Sequence, residues 1–217
     1  MRKFARFNLV IAALTLFAPL AANAVEGAES GMITQAVGTV TYESGGDKGK
    51  PVVAFMKLRV GDRLTLAKDA KAQLVYFQGG RQETWRGATQ IDVGVSESHT
   101  ASASQPETKL LPALVLQQIS RAPKVVADLK NRTGMVFVRA LPMREKLREL
   151  GETYAAMRKD AAPDDVTPEL FMLAGLHELR MYPDMRPVLE EMRLRQPDNP
   201  EINTVCDQYG KLMNNNR

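Results

Sequence analysis

Apolar and polar positions alternate along the first half of the chain and recur with helical spacing along the second. Val37-Gly38-Thr39-Val40-Thr41-Tyr42 alternates, as do Arg63-Leu64-Thr65-Leu66 and Ala88-Thr89-Gln90-Ile91-Asp92-Val93, and Ala72 to Phe77 is a run rich in strand formers. A period of two with β-branched enrichment predicts strands. Gly45-Gly46-Asp47, Gly61-Asp62, Gly79-Gly80 and Gly87 punctuate them, each offering a residue that enters a tight turn at positive φ. Short strands at roughly ten-residue spacing predict a compact all-β unit over residues 36–95. Residues 25–35 are small and polar and read as a flexible lead-in; Ser96 to Thr108 has almost nothing apolar and reads as a linker.

From residue 109 to residue 217 the pattern is helical. Leu110 to Lys130 predicts two short helices broken near Arg121-Ala122-Pro123. Met135-Val136-Phe137-Val138 predicts a lone strand that could rejoin the β unit. Met143, Leu147, Leu150, Tyr154 and Met157 recur at spacings of 4, 3, 4 and 3, the stripe of an amphipathic helix. Thr167-Pro168-Glu169 and Asn199-Pro200-Glu201 each read as an N-cap, a proline in the first turn and an acid beside it. Asp184 is a further candidate cap, with Pro187 inside the first turn of the helix it would open. The fold class expected is therefore α+β, with a small all-β domain first and a helical domain after it.

The start of the chain changes the charge picture. Met1-Arg2-Lys3-Phe4-Ala5-Arg6 is basic, Leu9 to Leu20 is apolar and uncharged, and Ala22-Asn23-Ala24 follows. The apolar run is shorter than the about 20 residues that span a bilayer. Basic start, short apolar middle and A-x-A end make a secretory leader over residues 1–24, cut between Ala24 and Val25; an uncleaved anchor is the rival. Of 29 basic and 25 acidic residues, the leader holds three basic ones and no acidic one, so about 193 residues remain with 26 basic against 25 acidic. A nucleic-acid-binding domain carries a basic surplus, and this near-neutral chain argues against one. Cys206, the only cysteine, can form no internal disulfide in an oxidising compartment. The chain is expected in the periplasm, with no stable membrane insertion after cleavage.

Two resemblances refine the expectation. Gly38-Thr39-Val40, Leu58-Arg59-Val60-Gly61-Asp62-Arg63-Leu64, Ala72 to Phe77 with Gly79-Gly80, and Ile91-Asp92-Val93 together resemble the FecR domain, a small periplasmic β module. The family's late Asp/Asn-Gly-Ser turn is here Gln78-Gly79-Gly80-Arg81. FecR proteins relay a signal across the membrane through a cytoplasmic N-terminal domain, whereas this chain begins with a leader. The resemblance therefore implies fold, location and envelope contacts, and not the relay. Pro163 and Pro197 stand 34 residues apart, and the two proline-capped starts 32 apart. This spacing is similar to that of tetratricopeptide helix hairpins and implies one hairpin over about 163–199; an unrelated antiparallel bundle fits nearly as well.

Candidate chemistry is sparse. His99 and His177 are far apart in sequence, and a metal site needs several converging ligands, so neither a metal nor a cofactor is expected and no catalytic residue is assigned. A Cys206–His177 nucleophile pair has no surrounding motif; a packed cysteine is the plainer reading. Asp164-Asp165 and Glu190-Glu191 read as caps and solvated faces, although paired carboxylates are also what glycan hydrolysis requires. For contact with a partner the candidates are Arg81, Trp85 and Phe171. Arg81, Glu83 and Trp85 share one face of a strand, and Gln82, Thr84 and Arg86 the other. Trp85 either fills the β core or anchors an interface. Phe171 lies in a helix apolar on nearly every side, which is either the centre of the bundle or reserves a face for a partner. The expected function is an exported binding or scaffold protein of the cell envelope, its partner another envelope protein or a cell-wall polymer. An enzyme acting on peptidoglycan or another glycan, and an accessory component of a signalling or transport complex, are the alternatives.

Overall fold

A computed structural model describes residues 27–131 and 143–214. Residues 1–24, expected as a leader, the Ala24–Val25 bond and the Met135–Val138 segment lie outside the described residues. Among the described residues, ten strands form two antiparallel five-stranded sheets. The first sheet is ordered β10 (Glu107–Leu110), β7 (Arg81–Arg86), β6 (Lys71–Tyr76), β1 (Glu29–Val37), β4 (Lys57–Arg59). The second is ordered β3 (Asp47–Pro51), β2 (Val40–Ser44), β5 (Arg63–Leu66), β8 (Thr89–Val93), β9 (Ser98–His99). The described helices that follow are α1 (Ala113–Ile119), α2 (Ala122–Asn131), α3 (Met143–Asp160), α4 (Thr167–Glu178), α5 (Tyr182–Arg195) and α6 (Pro200–Asn214). The architecture is α+β, an all-β N-terminal region followed by a helical one.

Between the two sheets, Ile33, Leu58, Leu64, Leu74, Tyr76, Trp85 and Ile91 form one apolar core. The opposite face of the first sheet supplies Met32 and Val75 to a second core, which continues through Val115, Leu150, Phe171, Leu189 and Tyr209 of the helices. The molecule is thus sheet, sheet, helices, with the centre of the first sheet buried on both faces; every residue of β6 is buried. This differs from two domains joined by a flexible 96–108 linker. Ser98–His99 pairs with β8 and Glu107–Leu110 pairs with β7, so both ends of the supposed linker are strands.

The expected lead-in at 25–35 is corrected likewise. Glu29–Val37 is a strand between β6 and β4. Only Met32 and Ile33 are its large buried apolar residues, because its other inward side chains are polar. Thr34 Oγ1 donates to Gln73 Oε1 at 2.8 Å, and Gln35 Nε2 to Asp164 Oδ2 at 3.1 Å. Composition alone reads such a segment as loop.

The turns behave as their glycines require. Gly45, Gly46, Gly61, Gly79, Gly80 and Gly87 all have positive φ, and Asp62 Oδ2 accepts the Arg59 N–H at 2.8 Å across the Gly61 turn. Asn199 caps α6, its Oδ1 accepting from the N–H of Glu201 at 3.0 Å. At α4 the roles differ from expectation: Asp165 Oδ1 accepts the Thr167 N–H at 2.8 Å, and the Thr167 hydroxyl accepts from Gln82 instead. α5 starts at Tyr182, which leaves Asp184 in its first turn without a capping bond and Pro187 inside the helix.

Candidate protein-binding cleft

Trp85 and Phe171 are 2% and 0% exposed. Trp85 projects between the sheets with Arg81, as the period of two requires, and Glu83 joins them. Its buried carboxylate accepts from Arg81 Nε at 2.6 Å, Trp85 Nε1 at 2.9 Å and the Ser98 N–H at 3.3 Å. Arg81 keeps a third of its side chain exposed and lies 3.9 Å from Glu97. The opposite face of β7 meets the helices: Gln82 Nε2 donates to Asp165 Oδ2 at 3.1 Å and to Thr167 Oγ1 at 3.3 Å.

The carboxylates at the sheet–helix seam are engaged by cations and amides. Asp164 accepts from Lys71 Nζ at 2.5 Å and from Gln35. Burial opposes its ionisation, but the Lys71 and Gln35 hydrogen bonds outweigh burial and hold the carboxyl below its usual range. Glu169, fully buried, accepts from Arg158 Nη1 at 2.9 Å, Arg195 Nε at 3.1 Å and the Tyr154 hydroxyl at 3.1 Å. Burial and that carboxylate push the Tyr154 phenol up to about 12. Glu191 pairs with Arg195 one helical turn on. This seam fastens the helices to the sheet; its charged groups already have the partners that a substrate would need.

Cys206 and His177 have local partners as well. The Cys206 thiol donates to the Leu189 carbonyl at 3.2 Å, and burial pushes its pKa up, away from thiolate. His177 lies edge-on to Tyr182 at 5.9 Å and 3.6 Å from Asp128; burial lowers its pKa against the pull of Asp128. His99 is exposed on β9. Among the described residues no three His, Cys, Asp or Glu side chains converge to hold a metal, and no helix is long and apolar enough to cross a membrane.

Phe171, the third partner-binding candidate, closes the base of a cleft between α1, α3 and α4. The floor is apolar: Leu150 from α3, Phe171 and Gly175 from α4, and Leu179 just past its end. Gly175 lets the helices meet, since a Cβ there would stand 2.3 Å from Leu150 Cδ1. The rim is polar and carries both signs, with Gln117 and Gln118 from α1, Lys146 and Glu149 from α3 and Glu178 from α4. Glu178 is held by Arg121 and by Gln118 Nε2, the latter at 3.0 Å. The other amide atom, Gln118 Oε1, has no donor among the described residues. Leu114 lies at the mouth, 39% exposed, and Met143 at the start of α3 is 51% exposed.

Reading the sequence found the base of this cleft through Phe171 and missed its walls. One signal was present. Ala113-Leu114-Val115-Leu116 has more apolar residues than one helix face can bury, and Val115 and Ile119 take the inward positions. Compared with family models, with curated proteins and with solved structures, the chain finds no match.

Proposed function

We propose that this chain is an exported, non-catalytic binding or scaffold protein of the cell envelope, and that it grips an envelope protein at the α1–α3–α4 cleft. The observation carrying this reading is the cleft itself: an apolar floor, a rim of both charge signs, and a leucine left half-open at the mouth. That combination suits an apolar side chain of a partner helix or loop, seated beside Leu114 and over Leu150, with polar groups around it meeting Lys146, Glu149 and Glu178. The basic, apolar, A-x-A start supports export. The FecR-like reading rests on the sequence from Gly38 to Gly94, and the helix-hairpin reading on the spacing of Pro163 and Pro197.

Site-specific photo-crosslinking tests the cleft. A crosslinking residue at Leu114, in the full chain expressed with its leader, should yield one discrete adduct in the envelope fraction. The same residue at exposed Leu194, on α5, should not. Equal adducts at both positions, together with glycan cleavage by the purified protein, would replace binding with catalysis.

A further inference from the structure

We infer that β10 is a self-pairing edge, through which two copies of this chain join their first sheets into one continuous antiparallel sheet. Among the described residues β10 ends the first sheet, bonded to β7 on one side only, and all four of its residues are exposed. The Leu111 N–H donates to the Gly80 carbonyl at 2.8 Å, continuing the register that pairs Lys109 with Gln82 and Glu107 with Thr84. In an antiparallel ladder, bonded and non-bonded pairs alternate. The backbone groups of Glu107, Lys109 and Leu111 therefore point to β7, and those of Thr108 and Leu110 point outward. α3 reaches β10 where Lys109 Nζ donates to the Asp160 carbonyl at 3.1 Å, and a groove lined by Leu110, Ala156 and Met157 lies between the strand and the rest of the helix.

Proteins usually protect such an edge with charge and proline, and β10 has both: Glu107, Lys109 and flanking Pro106 and Pro112. The charges are opposite, however, and two residues apart. An antiparallel second copy centred on Thr108 sets Thr108 against Thr108, exchanging both outward hydrogen bonds. It sets Glu107 against Lys109 twice, in the closer, non-bonded kind of pair, where side chains interact most. On the other face Leu110, 75% exposed, meets Pro106 of the second copy, whose carbonyl accepts the Leu110 N–H. Centring the pair on Lys109 would oppose like charges, and centring it on Leu110 would leave the charges unmatched. The strand's own sequence thus selects one register and favours a second copy over an unrelated extended peptide.

Sedimentation of the leaderless chain across a concentration series tests this. The wild type should dimerise reversibly and more weakly at high salt. Glu107→Lys and Lys109→Glu should each weaken the dimer about tenfold, since each turns two attractive cross-strand pairs into repulsive ones. An equimolar mixture of the two variants should recover it, because in the mixed pair each position 107 again faces a position 109 of opposite charge. Thr108→Pro removes an outward N–H without touching the β7 ladder and should abolish the dimer with the melting temperature kept. A monomer at every concentration overturns the inference, as does a dimer indifferent to both charge reversals. A monomer that captures a foreign extended peptide at this edge would overturn it in favour of that other occupant.

Discussion

At the scale of single residues, stability is concentrated where charge is buried. Glu169 has no exposure, and its two arginines keep 16% and 23% of their side chains exposed. Glu169→Ala leaves two guanidinium groups facing an apolar gap. Removing one member of a buried ion pair costs about 3–5 kcal/mol, and urea denaturation should register a loss of that size. Asp164 gives the acid response. Its folded carboxyl titrates below the ordinary value of 3.8, so its contribution is complete above that value and is lost as pH falls through the lower folded one. Stability measured from pH 5 downward should fall less steeply in Asp164→Asn than in the wild type. Phe171→Asp should unfold the protein, because an unpaired charge would replace a side chain with no exposure. A variant that melts normally would place Phe171 at an interface instead.

Elements depend on one another more than their separate patterns suggest. α4 is apolar nearly all round, and α1, α2, α3 and α5 all pack on it, which is the central-helix reading. Gly175→Ala would drive a methyl into Leu150 and wedge α3 from α4. Overpacking of this kind costs about 1–3 kcal/mol, and a matching drop in denaturation midpoint is expected. Because the helices share a core with Met32 and Val75, an isolated 109–217 fragment should lose its cooperative melt and show weak helical circular dichroism. A fragment that melts like the whole chain would show that the helices fold without the sheet.

For the whole molecule, the three layers leave two surfaces of different kind, an apolar-floored cleft and an open strand edge. Leu114→Glu changes a half-exposed side chain, so it should leave the melting temperature about where the wild type has it while cutting partner recovery at the cleft. Loss of both fold and binding would mean that Leu114 is structural and that the cleft needs another probe.

The α+β class, the strands at Arg63–Leu66, Lys71–Tyr76 and Thr89–Val93, the glycine turns, the α1–α2 break and the Asn199 cap were legible in the chain. Each depends on a local cause: side-chain period, positive φ, or an oxygen reaching an N–H two or three residues away. The strand at Glu29–Val37, the two short strands bracketing Thr100 to Pro106, the cleft walls and the shared core were decided in three dimensions. Gln35 and Gln82 look like surface residues until the loop at Asp164-Asp165 arrives from more than eighty positions away to accept from their amide nitrogens. Gly175 looks like a weak point in a helix until Leu150 lies against it. A polar residue's burial depends on whether a distant partner returns its hydrogen bonds, and no local period in the chain encodes where that partner will be.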